Sequence, residues 1–129
     1  MSPSTDLGKT LPSILGNADK DPVNTPAVSA ALAELYLGPD GDPTAPLAST
    51  LHADLTGLPP LLVLVGTWEI LLDDSVRFAE KAAAAGVDVT LELWEEMGHI
   101  WPYFGGEFPE AQSAVEQMGA WVRQRLPGS

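Results

Sequence analysis

Two side chains stand out for the chemistry they can do together: Glu69 in Gly66-Thr67-Trp68-Glu69-Ile70-Leu71, and His99 in Glu95-Glu96-Met97-Gly98-His99. A carboxylate that accepts a hydrogen bond from one imidazole nitrogen fixes the ring tautomer. The other nitrogen is then free to take a proton from a hydroxyl nucleophile. His99 is one of only two histidines, so a histidine-rich metal site is excluded, and with no cysteine there is no thiolate, disulfide or Cys-based zinc site. The competing reading makes His99 an ordinary loop histidine satisfied by its neighbours Glu95 or Glu96. Topology alone leaves both open.

The elements around these residues decide whether they can meet. Leu61-Leu62-Val63-Leu64-Val65 is an uninterrupted apolar run after Gly57-Leu58-Pro59-Pro60, which suits a strand over 61–65 covered on both faces. Asp73-Asp74-Ser75 are placed to cap a helix over about 75–85 that Gly86 stops. Val89 to Trp94 alternates Val89, Leu91 and Leu93 against Thr90, Glu92 and Trp94, which predicts a strand at a sheet edge with one drier face. Ala111, Val115, Met118 and Val122 share a stripe of a last helix over about 110–125, ending near Leu126-Pro127-Gly128. Strand, helix, strand, helix is a βαβα unit over 58–126, with parallel strands and a right-handed crossover. Loops leaving the C-terminal ends of adjacent parallel strands converge on one crevice, and those loops here carry Glu69 and His99.

The first 57 residues read differently. Pro3, Pro12, Pro22, Pro26, Pro39, Pro43 and Pro46 interrupt regular structure, and one helix is expected, over 26–37. Thr25 is its N-cap, Val28, Leu32 and Leu35 its apolar positions, and Gly38-Pro39 its stop. The chain as a whole has 129 residues, 45% of them hydrophobic, enough for one core. Its 18 acidic residues against 6 basic ones give a net charge of -12, which repels phosphate backbones and anionic lipid. Nucleic-acid and membrane partners are therefore not expected. No segment resembles a leader or spans a bilayer, and the expected location is cytoplasmic.

Several of these segments resemble a known family. Gly57-Leu58-Pro59-Pro60, Gly66, Glu69-Ile70-Leu71-Leu72-Asp73-Asp74-Ser75, Ala85-Gly86-Val87-Asp88-Val89 and Met97-Gly98-His99-Ile100-Trp101 look like the C-terminal half of bacterial hormone-sensitive-lipase-like carboxylesterases. Ser2-Pro3-Ser4-Thr5-Asp6-Leu7 is similar to the family's segment after its sixth strand, and Leu37-Gly38 through Ala53-Asp54-Leu55 continues the likeness. The resemblance implies an α/β fold, a C-terminal fragment of an α/β-hydrolase domain spanning 1–129. In the family's Asp-Pro-Leu-x-Asp motif the acid comes first, which places Glu69 in the acid position and His99 thirty residues later. Asp73 is the alternative acid, four residues too close, and its stronger reading with Asp74 is helix capping. Trp68, Trp94, Trp101 and Trp121, with Tyr103 and Phe104, are expected mainly to pack. His52 is expected at the surface, and Glu95 and Glu96 in solvent.

An α/β hydrolase also needs a serine in a Gly-x-Ser-x-Gly turn. None of Ser2, Ser4, Ser13, Ser29, Ser49, Ser75, Ser113 and Ser129 has those flanks, and no His-Gly-Gly oxyanion loop occurs. The resemblance puts both upstream of the matched region, with Met1 where the sixth strand would end. The expectation is a family of serine esterases acting on small neutral esters without metal or organic cofactor. This chain would supply Glu69 and His99, lack the nucleophile, and be inactive alone. A strand over 61–65 without its inner neighbour is expected to leave an open edge and uncovered faces, hence self-association or need of a missing N-terminal segment. The alternative is a non-catalytic α/β module or pseudo-hydrolase remnant that associates through that edge.

Overall fold

In the computed structural model, which describes residues 2–126, the apolar run after Pro60 becomes β1 (Leu61–Gly66) and the alternating segment becomes β2 (Val89–Trp94). The two pair in parallel with Leu61 opposite Val89 and Gly66 opposite Trp94. This register ends both strands at the same level, so the loops that follow leave side by side.

Helices cover both faces of the pair, because alternate strand residues point to opposite sides. On one side α3 (Leu72–Ala84) contributes Phe78 and Ala82, which pack with Leu55, Leu61, Val87 and Val89. On the other, α4 (Pro109–Arg125) sets Ala111 and Ala114 against Leu64 and Trp101, with Leu62, Trp94, Met97, Phe108 and Met118 around them. Val63, Leu64 and Val65 are consequently buried. The expected uncovered faces of this strand are not found; the chain's own helices shield them. The open edge is found, since each strand has a single partner among the described residues.

Three periodicities resolve differently from the sequence expectation. In β2 the alternation predicts a drier face of Val89, Leu91 and Leu93, yet Leu93 is exposed while Trp94 packs into the core beside Trp101, with ring centroids 5.7 Å apart. A large aromatic at the strand's end gains more by reaching α4 than by facing water. In α4 the buried positions are Ala111 and Ala114, with Met118 partly buried beside them; of the expected stripe, Val115 and Val122 are exposed. The small alanines let the helix approach the sheet closely. In α2 (Pro26–Leu37), Thr25 caps the helix by accepting from the Val28 amide (3.3 Å), and Gly38 ends it at φ 72°. There too the buried positions are small, Ser29 and Ala33, while Val28, Leu32, Leu35 and Tyr36 lie exposed.

α3 begins at Leu72, three residues before the expected start, and Asp73, Asp74 and Ser75 lie inside its first turns rather than capping them. Their side chains serve the irregular segment instead. Asp73 Oδ2 accepts from the Ser13 amide (2.8 Å), while Ser13 Oγ accepts from the Asp73 amide (3.0 Å) and donates to Ile70 O (2.7 Å). Asp74 Oδ1 accepts from the amides of Thr5 (2.6 Å) and Asp6 (2.9 Å). Both carboxylates still favour the helix N-terminus by their charge. Ser13–Gly16 forms a one-turn helix, α1, and Thr50–His52 a 3-10 turn, so the first 57 residues hold more regular structure than the single helix expected. Met1 and the expected stop at Pro127 and Gly128 lie outside the described residues, as does Ser129. Among the described residues, no helix is long and apolar enough to cross a membrane.

Candidate active site

Glu69 sits in the turn leaving β1, and its side chain is fully buried. The Gly66 amide donates to Oε1 (2.7 Å), which folds the side chain back over the strand end. Oε2 is thereby aimed at His99 Nδ1, 2.9 Å away. Of the two acids weighed from the sequence, this one meets the histidine. Asp73 is committed to Ser13 on the opposite side of the turn. The extra methylene of glutamate is absorbed by this folded-back conformation.

The histidine loop is fastened to the acid loop at close range. The Thr67 amide donates to Trp94 O (2.9 Å), the Trp68 amide to Met97 O (3.2 Å) and the Glu96 amide to Thr67 Oγ1 (2.9 Å). Gly66 makes this possible: a Cβ there would stand 1.9 Å from Met97 O. Glu96 (φ 60°) and Ile100 (φ 56°) flank His99 in the left-handed region, which is costly for an isoleucine and marks a backbone held by its surroundings. Glu95 and Glu96 are exposed; neither accepts from the imidazole, so the reading of His99 as a histidine satisfied by these neighbours does not hold.

With its proton on Nδ1, the ring donates to Glu69 Oε2, and Ser2 Oγ lies 3.1 Å from the same nitrogen as a second, three-centre acceptor. Nε2 has no hydrogen-bond partner among the described residues, and the side chain is 20% exposed. His99 borders two hollows. One, of about 280 Å³, is lined by Ser2, Leu7, Lys9, Asn24 and Leu32; burial holds the Lys9 ammonium below its ordinary pKa despite the nearby Asp74 and Asp6 carboxylates. The other, of about 370 Å³, is walled mainly by the apolar Pro22, Val23, Met97, Trp101, Phe104 and Phe108, with Glu96 at its margin. Trp101 is thus both packed and beside the histidine, whereas Trp68 is exposed and Trp121 donates to Thr90 Oγ1 (3.3 Å) near the start of β2, away from the site. His52 lies exposed in the 3-10 turn.

Sequence reasoning missed three residues here. Ser2, weighed as a nucleophile and part of the segment Ser2 to Leu7, has no local signal for its contact with the imidazole. Asn17 and Asp21 reach the acid loop from about fifty positions away, through a segment with no periodicity to announce it. No group of three or more His, Cys, Asp or Glu side chains able to hold a metal is found among the described residues.

The chain is similar to several known proteins. Residues 1–103 match the family described as alpha/beta hydrolase fold. An acetyl-hydrolase of Streptomyces hygroscopicus is 48% identical over 92 residues, covering 71% of this chain and 30% of that protein. An esterase of Acinetobacter venetianus is 44% identical over 122 residues, 95% of this chain and 40% of the relative. Among solved structures, an esterase from the bacterial hormone-sensitive lipase family is 45% identical, with a TM-score of 0.92 over 96% of this chain and 41% of its own. A hormone-sensitive lipase from a metagenome library is 38% identical, with a TM-score of 0.92 over 97% and 43%. The chain therefore spans less than half the length of these relatives.

Proposed function

This chain belongs to the alpha/beta hydrolase fold family, among its hormone-sensitive-lipase-like esterases, and from that premise we propose that Glu69 and His99 are the acid and base of a serine-esterase relay. The observation that carries the proposal is the 2.9 Å contact between buried Glu69 Oε2 and His99 Nδ1, with Nε2 left unpartnered beside an apolar hollow. Glu69 holds the Nδ1–H tautomer. His99 Nε2 then takes the proton of a serine hydroxyl as its oxygen attacks the ester carbonyl, and returns that proton to the departing alcohol. Water repeats the cycle on the acyl-enzyme and releases the acid. The buried carboxylate also stabilises the imidazolium formed on the way.

The 129 residues contain no Gly-x-Ser-x-Gly, so the serine and the oxyanion donors of this proposal come from outside them, and the chain alone is inactive. The substrate class is a small neutral ester whose apolar part fits the hollow between Trp101, Phe104 and Phe108. The test is a chimera in which this chain replaces the matching part of the Acinetobacter venetianus esterase. Hydrolysis of p-nitrophenyl butyrate by the chimera, lost on His99→Ala, supports the assignment. Undiminished turnover by His99→Ala in a chimera that hydrolyses the ester overturns it.

A second reading concerns association. Val28, Leu32, Leu35 and Tyr36 form an exposed apolar surface on α2, and both strands have an unpaired edge among the described residues. These favour contact with another chain segment or a second copy, independent of any catalytic role.

A further inference from the structure

The segment from Asn17 to Asn24 takes no part in the relay, yet it touches both loops that form it. Asn17, 7% exposed, donates from Nδ2 to Thr67 O (3.0 Å) and Glu69 O (2.9 Å). Asp21, 6% exposed, accepts from the Ile70 amide with Oδ2 (3.1 Å). Its Oδ1 accepts from Val23 (3.1 Å) and Asn24 (3.0 Å), which stiffens the segment itself. Pro22 lies so close to Gly98 that a Cβ on that glycine would come within 2.7 Å of Pro22 Cδ.

The pattern is selective. The three backbone groups held, Thr67 O, Glu69 O and Ile70 N, belong to the peptides on either side of Trp68-Glu69, and the proline presses on Gly98, the neighbour of His99. We propose that Asn17 and Asp21 are positioning residues whose side chains clamp the acid turn, so that the Glu69 carboxylate stays within hydrogen-bond reach of His99. The proposal rests on the relay reading above. Physically, Glu69 has one oxygen already bound to the Gly66 amide, so its second reaches Nδ1 only while the backbone of the turn keeps its orientation. Removing the donor that satisfies two of that turn's carbonyls frees the peptide planes on either side of Trp68 and Glu69 to rotate, because unsatisfied buried carbonyls seek other partners.

The test reads the tautomer of His99 directly, in this chain labelled with ¹⁵N-histidine, from the Nδ1 and Nε2 shifts at about pH 9, where imidazoles are neutral. Exposed His52 serves as internal reference. The wild type is expected to hold the Nδ1–H form, and Glu69→Gln to lose it. Asn17→Ala should move the ratio toward Nε2–H by about tenfold, the effect of losing one hydrogen bond to a charged group. Asp21→Asn, which keeps the shape of the side chain, should move it in the same direction by less, and it carries the test should Asn17→Ala fail to fold. Asn17→Ala should add nothing to Glu69→Gln, since it acts through that carboxylate. If Glu69→Gln moves the ratio while Asn17→Ala and Asp21→Asn leave it unchanged, the clamp is refuted and the relay stands. If Glu69→Gln itself changes nothing, the relay reading fails and the clamp proposal fails with it.

Discussion

Gly66→Ala is the smallest change that should separate the two loops of the site. The added methyl carbon would sit 1.9 Å from Met97 O, 2.5 Å from Met97 C and 2.9 Å from Met97 Cβ. Two of the three atoms are backbone, so no rotamer change relieves the clash. Restoring ordinary van der Waals contact requires the histidine loop to move away by roughly 1.5 Å. That displacement breaks the bond from the Trp68 amide to Met97 O (3.2 Å) and draws His99 from Glu69. Overpacking of this kind costs about 1–3 kcal/mol, and the lost hydrogen bond about 1 kcal/mol. Their sum, roughly 2–4 kcal/mol, is a large part of the 5–15 kcal/mol that typically holds a domain. Urea unfolding followed by the fluorescence of the four tryptophans measures it. With a slope of about 1–3 kcal/mol/M, the midpoint should fall by roughly 0.7 M or more. An unchanged midpoint would show that the close approach of Met97 to the strand end is not a constraint on the fold, and the reasoning about why a glycine stands there would be wrong.

Other expectations follow from single residues. Burial outweighs the amide hydrogen bonds from Asp6 and Thr5 and holds the Asp74 carboxyl above its ordinary pKa. It therefore ionises less readily folded than unfolded, and its contribution to stability, present below about pH 3.9, is lost as pH rises through the folded value. Asp74→Asn should accordingly gain stability relative to the wild type between about pH 3 and pH 7 in paired urea titrations; a difference independent of pH sinks this claim. Leu32→Ser with Leu35→Ser removes apolar surface from exposed α2 positions, so sedimentation should show less self-association with no loss of stability beyond about 0.5 kcal/mol. If the wild type sediments as a monomer at all concentrations, the α2 surface is not sticky in the way argued. Ala114→Leu forces a larger side chain between Leu64, Trp101 and Ala111 and should destabilise by about 1–3 kcal/mol on thermal melting, whereas the same change at exposed position 115, Val115→Leu, should be nearly neutral.

What the sequence disclosed depended on whether a signal was local. β2 and α2 lie where alternation, capping and glycine stops put them, at Val89–Trp94 and Pro26–Leu37. The meeting of Glu69 with His99 was legible because parallel strands of equal end level place their following loops together, and the sequence has an acid in one loop and a histidine in the other. The start of α3 was misplaced because aspartates near a helix start normally cap it, whereas Asp73 and Asp74 are claimed by amides some sixty to seventy positions away. The buried faces of α2 and α4 were misread for a related reason. Large apolar side chains at helical spacing signal a core face, but close packing here uses Ser29, Ala33, Ala111 and Ala114, whose small size hides them from a hydrophobicity pattern. Nothing local marks Asn17 or Asp21, two polar residues in a proline-interrupted segment, as partners of the acid turn.

In the proposed relay Glu69, not Asp73, orients His99. The esterase chimera measures this through kcat for p-nitrophenyl butyrate with Glu69→Gln and Asp73→Asn side by side. Glu69→Gln keeps the shape but presents the wrong partner to Nδ1, and should lower kcat by roughly 10³–10⁴. Asp73→Asn perturbs only the contact with Ser13 and should leave kcat within about tenfold. The reverse ranking, or equal losses for the two, would mean that Glu69 is not the residue that orients His99.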